Sequence, residues 1–241
     1  MTDNEPELSL VIPARDEAES LADCVTEARN VLIGLGRPFE IVVIDDGSAD
    51  GTFSALRDLK PSVPELRAAR LARPSGQTAA MEAGFRRARG GIVITMDADM
   101  QNDPADIPGM LEKLADCDVV CGVREKRQDS FVRRVSSRIA NAARNALTGE
   151  SVRDTGCTLK VYRREFLDRL KLFEGMHRFL PTLLRLAGAR VIETPVNHRP
   201  RLRGRTKYGI GNRLPRGLRD LFAVRWMKKR WIRSDVAEEI E

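Results

Sequence analysis

Gly91-Ile92-Val93-Ile94-Thr95-Met96-Asp97-Ala98-Asp99-Met100-Gln101 is the stretch that decides the fold class. Its apolar, β-branched start follows a Gly90-Gly91 pair and stops at carboxylates, which is the pattern of a buried parallel strand. Ligand sites of open α/β sheets lie just beyond the carboxyl ends of such strands. Two carboxylates one residue apart repel each other unless something neutralises them. A hard divalent cation that also holds phosphates is the natural partner. Capping of the following helix is the competing reading for either aspartate, and the rest of the chain argues against it.

Outward from that stretch, strand and helix alternate through the first half. Residues 8–12 and 40–44 read as strands, with a helix over 16–33 between them that Gly34 and Gly36 end. A helix over 51–59, a short strand near 66–71, a helix over 75–89, a helix over 104–114 and a strand over 118–121 continue the pattern. Repeated βα units of this length imply an α/β fold with a doubly wound, mostly parallel sheet and a Rossmann-like nucleotide-binding half. Three strand ends carry polar clusters: Pro13-Ala14-Arg15-Asp16-Glu17, Asp45-Asp46-Gly47-Ser48 and Asp97-Ala98-Asp99-Met100-Gln101. Glu17 can accept from a base or ribose donor, and Asp46 can read a nucleobase edge. Asp-Asp-Gly-Ser alone is commonly a turn. Three such clusters on one sheet edge make a nucleotide crevice.

Charge divides the chain in two. Residues 1–121 hold 12 Lys and Arg against 22 Asp and Glu, a net of −10, whereas residues 122–241 hold 29 against 13, a net of +16. One half therefore suits a metal and the other suits anions. An anionic membrane and phosphorylated substrates both fit; no nucleic-acid recognition motif is present, so nucleic acid is not an expected partner. Phe131, Val135, Ile139, Ala142, Ala146 and Leu147 recur at helical spacing among Arg133, Arg134, Arg138 and Arg144. Such a basic amphipathic helix packs on the sheet or lies on an anionic bilayer. Strands near 159–162 and 189–192 flank a helix near 179–186. From His198 to Arg233 the only acid is Asp220, and Trp226 and Trp231 stand among Lys and Arg, a composition suited to a headgroup region.

Length and composition bound the organisation. At 241 residues and 42% apolar content, one large α/β domain is expected over 1–212, with an acidic half suited to a nucleotide and metal (1–121), a basic half suited to anions (122–212) and a basic amphipathic C-terminal helix and tail (213–241). Cys24, Cys117, Cys121 and Cys157 show no Cys-x-x-Cys spacing, and there are two histidines, which argues against a zinc site or a disulfide framework and for buried thiols in a reducing cytoplasm. Charges from Asp3 onward argue against a signal peptide, and no run approaches the ~18 apolar residues of a membrane span.

In these motifs the chain resembles a family-two glycosyltransferase of GT-A fold, and within it the polyprenyl-phosphate, dolichol-phosphate mannose synthase-like subgroup. The residues are Val11-Ile12-Pro13 with Glu17, Val43-Ile44-Asp45-Asp46-Gly47-Ser48, Gly76-Gln77 with Ala83-Gly84, and Asp97 through Gln101; then Gly122-Val123-Arg124 with Asp129-Ser130, Asp154-Thr155-Gly156-Cys157, and His198 through Gly209. The likeness covers roughly residues 8–215. Gln101 and the Arg201, Gly204, Thr206-Lys207-Tyr208 block point to the lipid-phosphate subgroup. Arg15-Asp16 replaces the Tyr-Asn usual there and leaves base and sugar preference open.

The resemblance implies an inverting, metal-dependent transfer of mannose or a related hexose or pentose from a GDP- or UDP-linked donor to undecaprenyl or dolichyl phosphate. Pro13, Arg15, Glu17, Ile44 and Asp46 would line the nucleoside pocket, with Gln77, Met96 and Ala98 completing the donor site. Asp97, Asp99 and Gln101 would hold Mg²⁺ or Mn²⁺. Arg124, Arg133 and Ser137 would grip the acceptor phosphate, and Arg201 and Lys207 would neutralise charge during transfer. Asp154 would orient the sugar or support the site. The expected enzyme is peripheral on the inner face of the cytoplasmic membrane, touching it through residues 131–147 and 214–232, with room for a membrane partner or self-association. The rivals are a glycan acceptor and, more distantly, a sugar nucleotidyltransferase, whose Gly-rich loop after the first strand is replaced here by Pro13-Ala14-Arg15-Asp16-Glu17.

Overall fold

A computed structural model describes residues 5–125, 152–200 and 213–232. The described residues form one seven-stranded sheet: β1 (Leu8–Ala14), β2 (Phe39–Asp45), β3 (Leu66–Arg70), β4 (Ile92–Thr95), β5 (Val119–Arg124), β6 (Lys160–Arg163) and β7 (Val191–Val196), in the order β3-β2-β1-β4-β6-β5-β7. Strands β1 to β4 pair in parallel, as do β5 and β7, while β6 runs antiparallel to both β4 and β5. The sheet is mixed α/β and mostly parallel, as expected. The boundary expected at residue 121 between two halves falls inside β5, so one sheet serves both.

Helices α1 (Leu21–Gly34), α2 (Thr52–Leu59), α3 (Gln77–Phe85), α4 (Ile107–Lys113), α5 (Arg164–Asp168), α6 (Leu180–Leu186) and α7 (Arg213–Arg230) cover the sheet. Strand β1 is buried except at Pro13, which is half-buried, as befits a strand packed on both faces. Leu8, Leu10 and Ile12 face a core shared with α1, α2 and α4; Val11 faces the opposite core with α3, α6 and α7. Gly84 permits the second contact, since a Cβ there would lie 2.3 Å from Val11 Cγ1.

Two helices begin later than their apolar periodicity suggests, for one physical reason. Helix α1 starts at Leu21 and not near residue 16, because Asp16 has φ 45°, its N–H donates to Ser48 Oγ at 2.8 Å and its Oδ1 accepts from Ala49 N at 2.9 Å. Helix α3 starts at Gln77 and not at residue 75, because Gly76 sits at φ 93° with its N–H on Asp46. At both places a strand-end loop captures the backbone before a helix can. All four cysteines are buried and free, and burial pushes the Cys121 thiol up to about 12. The helix expected over 131–147 lies outside the described residues.

Candidate nucleotide and metal site

Because β1 pairs in parallel with β2 (Ala14 opposite Asp45) and with β4 (Val11 opposite Thr95), the three polar clusters leave the sheet at one edge. Hydrogen bonds then lock them together. Glu17 N–H donates to Thr52 Oγ1 at 2.9 Å, and Ser20 Oγ lies 3.1 Å from both Glu17 Oε2 and the Ala98 carbonyl. Asp45, wholly buried, accepts from Ser48 N at 2.9 Å and faces Arg70 Nε at 3.2 Å.

Asp46, 3% exposed, accepts from Ser75 N at 2.6 Å and from Gly76 N at 2.9 and 3.0 Å, with Arg15 Nη1 at 3.8 Å. Expected at a nucleobase, this carboxylate also builds the entry to α3, which aims Gln77 at Asp97. Gln77 Nε2 donates to Asp97 Oδ1 at 3.0 Å. Thr158 Oγ1 donates to Asp97 Oδ2 at 2.5 Å, and Asp97 N–H donates to Asn102 Oδ1 at 3.0 Å. Burial first and the Asp99 charge second push the Asp97 carboxyl up to about 6, while the Thr158 hydrogen bond and the charges of Lys160 and Arg124 pull it back.

Asp99 turns on its own loop: its Oδ1 accepts from Gln101 N at 3.1 Å, across Met100 at φ 62°. A non-glycine residue held in the left-handed region between two candidate ligands is local strain that the surrounding bonds maintain. Those bonds come largely from beyond β7. Arg199 N–H donates to the Gln101 carbonyl at 2.9 Å, its guanidinium lies 2.8 Å from Glu27 Oε1 and 2.8 Å from Asp103 Oδ1, and Asn102 bridges to His198.

The candidate donor set expected from the sequence is Asp97, Asp99 and the Gln101 amide oxygen. It is oxygen-only, which fits a hard cation that takes its other ligands from diphosphate oxygens and water. Among the described residues no three His, Cys, Asp or Glu side chains gather as a metal centre.

Pro13, Arg15, Glu17, Asp46, Gln77, Asp97, Asp99 and Gln101 therefore share one edge. Ile44, Met96 and Ala98 have core side chains, 0%, 1% and 3% exposed, and border the edge through their main chain. Arg124 and Asp154, given separate roles in the sequence reading, face each other. Nε and Nη2 of Arg124 donate to Oδ2 and Oδ1 of Asp154 at 2.8 and 2.9 Å, and Asp154 Oδ1 also accepts from Gly156 N at 3.0 Å. Arg133, Ser137, Arg201 and Lys207 lie outside the described residues. Sequence reasoning missed Thr158, Asn102 and Arg199, which hold the carboxylate loop, and Lys160, a cation 2% exposed in β6. The Leu159-Lys160-Val161-Tyr162 run was a signal for Lys160, a lone charge amid buried neighbours.

Comparison with known proteins identifies the family. The chain is 38% identical over 224 residues to a dodecaprenyl-phosphate galacturonate synthase of Rhizobium johnstonii, covering 90% of this chain and 66% of the relative. It is 37% identical over 205 residues to an undecaprenyl-phosphate 4-deoxy-4-formamido-L-arabinose transferase of Aeromonas hydrophila, covering 84% and 63%. The chain thus spans slightly less than two thirds of the length of these relatives. A mannosyltransferase from Pyrobaculum calidifontis, solved with GDP-Man and Mn²⁺, superposes with TM-score 0.64 at 22% identity over 97% of this chain and 67% of that one. A glucosyl-3-phosphoglycerate synthase from Mycobacterium tuberculosis, solved with Mn²⁺, UDP and phosphoglyceric acid, gives 0.70 at 20% identity over 95% and 80%. The glycosyl transferase family 2 model matches residues 9–171. A GT-A sheet with three acidic or polar strand ends at one edge and a family match over most of its length make this chain a member of glycosyl transferase family 2.

Proposed function

We propose that the chain transfers a sugar from a nucleoside diphosphate sugar to a polyprenyl phosphate, with inversion at the anomeric carbon. The observation that carries this reading is the identity of 37–38% to transferases named for dodecaprenyl and undecaprenyl phosphate acceptors, on a chain whose strand ends gather Asp97 and Asp99. Those names favour a uronic acid or a modified pentose as the sugar over mannose. An oxygen of the lipid phosphate bonds to the anomeric carbon, the bond from that carbon to the donor's β-phosphate oxygen breaks, and a nucleoside diphosphate leaves. A phosphate monoester has its second pKa near ~6, so the nucleophile is already charged at neutral pH and the protein's task is positioning and charge neutralisation.

In this reading Pro13, Arg15, Glu17 and Asp46 bind the nucleoside. Asp97, Asp99 and Gln101 hold Mg²⁺ or Mn²⁺, which when bound offsets charge on the departing diphosphate. Arg201 and Lys207 neutralise phosphate charge. The described chain reaches Pro200, with Arg199 N–H donating to the Gln101 carbonyl. Arg133 and Ser137 bind the acceptor phosphate, and the protein works at the inner membrane face. No helix among the described residues is long and apolar enough to cross a membrane.

The test is nucleotide release from a panel of UDP- and GDP-sugars with Mn²⁺ or Mg²⁺, with and without undecaprenyl phosphate. Release that needs one donor and the lipid phosphate together is expected. Release indifferent to the lipid phosphate would overturn the acceptor and leave a glycan or other soluble acceptor in its place.

A further inference from the structure

We propose that Thr158 is a positioning residue for Asp97, a hydroxyl delivered from the antiparallel strand that fixes the carboxylate in the orientation a divalent cation needs. The proposal rests on the cation reading of Asp97 and Asp99 and adds a residue 61 positions further along the chain.

Topology explains why residue 158 stands there. Strands β4 and β6 pair antiparallel from Ile92 opposite Arg163 to Thr95 opposite Lys160. Two more steps in that register set Asp97 opposite Thr158. The ladder itself has ended by then, and a side-chain bond extends it, since Thr95 Oγ1 donates to the Thr158 carbonyl at 2.6 Å. Thr158 is thereby held while its hydroxyl points at Asp97 Oδ2, 2.5 Å away, from a position only 9% exposed.

The other contacts of Asp97 are of the same kind. Gln77, from α3, holds Oδ1 at 3.0 Å. Asn102, 5% exposed, accepts the Asp97 N–H at 3.0 Å and lies 3.1 Å from the Thr158 hydroxyl. Main chain and both carboxylate oxygens are thus pinned from three separate elements, with no cation among the pinning groups. Each oxygen keeps lone-pair capacity beyond the one hydrogen bond it accepts, so the arrangement aims the carboxylate without consuming it as a ligand. Neutral donors suit this role, because a lysine or arginine at position 158 would compete with the cation for the same charge. Partners of this type around metal ligands typically change metal affinity about 10- to 100-fold when removed.

The experiment is Mn²⁺ titration of the purified chain with UDP or GDP present, with free Mn²⁺ read by electron paramagnetic resonance, on wild type, Thr158→Val and Thr158→Ser. Valine keeps the shape and removes the hydroxyl; serine keeps the hydroxyl. Valine is expected to weaken Mn²⁺ binding about 10-fold and serine less than about threefold. Thermal melts in chelator are run alongside, and Thr158→Ala replaces valine if that variant does not fold. Unchanged Mn²⁺ affinity in the hydroxyl-less variant would overturn the positioning role and leave the cation reading intact. Weakening that serine fails to rescue would also overturn it, assigning the effect to packing of the methyl group. A wild-type chain that binds no Mn²⁺ with either nucleotide would overturn both readings.

Discussion

Asp99 and Arg124 carry the sharpest expectations at the level of single residues. Asp99 is a candidate cation ligand whose charge raises the buried carboxyl of Asp97, so its charge is expected to matter for ligand binding more than for folding. Asp99→Asn is expected to lower sugar transfer about 10³-fold, the scale seen when one electrostatic contact to developing charge is removed, with a melting temperature equal to or above wild type because the Asp97–Asp99 repulsion is relieved. Steady-state rates beside a thermal melt decide it. Arg124 is different: its side chain is 16% exposed and it forms a two-pronged ion pair with an Asp154 side chain 6% exposed. Arg124→Met strips both guanidinium bonds from that buried carboxylate, at a cost of about 3 to 5 kcal/mol, whereas Arg124→Met with Asp154→Leu is expected to recover much of it. Urea unfolding of the two single variants and the double one measures the coupling. An arginine whose main duty is the acceptor phosphate would instead give stable single variants with a raised KM for lipid phosphate. Asp97, Asp99 and Asp46 were legible in the sequence, since carboxylates after a β-branched run advertise a strand end. That Arg124 and Asp154 are partners was not, because thirty residues separate them and no local pattern encodes the pairing.

Most of the described elements were legible in order and type; the misses are the short helix α5, which the sequence reading did not offer, and direction and boundaries elsewhere. A strand buried on both faces reads alike whether it runs up or down, so nothing in Lys160-Val161-Tyr162-Arg163 announces that β6 is reversed. That reversal sets Thr158 beside Asp97, which is why the holding residues escaped sequence reading while the held one did not. A second contact between elements joins α3 to the turn before α6. Thr78 Oγ1 accepts from Gly175 N at 3.1 Å and is hydrogen-bonded to His177 Nδ1 at 2.7 Å. Burial first, then the charges of Arg178 and Lys160, lower His177 to about 3, so the folded chain keeps the imidazole neutral. For a base with a depressed pKa the sign is fixed: its contribution is complete above the unfolded value near 6.5 and is lost as pH falls toward 3. At pH 5 the loss is about 2 kcal/mol. His177→Gln is therefore expected to have a shallower decline in stability between pH 7 and pH 5 than wild type, measured by urea unfolding at both values; parallel declines would show that His177 titrates freely.

At the scale of the whole molecule, the charge asymmetry of the sequence acquires a surface in α7. Leu221 and Val224 are buried, 5% and 0% exposed, and anchor the helix in the core beside α3 and α6. Asp220, the only acid between residues 198 and 233, is turned inward, since a Cβ on Gly175 would lie 2.5 Å from its Oδ2. The opposite face presents Phe222 and Trp226, 61% and 64% exposed and one helical turn apart, among exposed Arg219, Arg225, Lys229 and Arg230. Exposed aromatics ringed by cations, with no acid on that face among the described residues, match the headgroup region of an anionic bilayer, where each basic residue contributes about 1 kcal/mol. For a protein proposed to take its acceptor from a membrane, this face is the expected contact, and the chain supplies its own reporter. Trp226 and Trp231 are its two tryptophans, so Trp231→Phe leaves Trp226 alone to fluoresce. Its emission is expected to shift to the blue with vesicles containing phosphatidylglycerol and to stay fixed with phosphatidylcholine alone. Phe222→Ser with Trp226→Ser is expected to weaken co-sedimentation with the anionic vesicles at least about 10-fold, the loss of one to two kcal/mol of apolar contact. Undiminished sedimentation of that double variant, together with an unmoved Trp226 spectrum, would remove α7 from the contact and leave the basic stretch over 131–147 to make it.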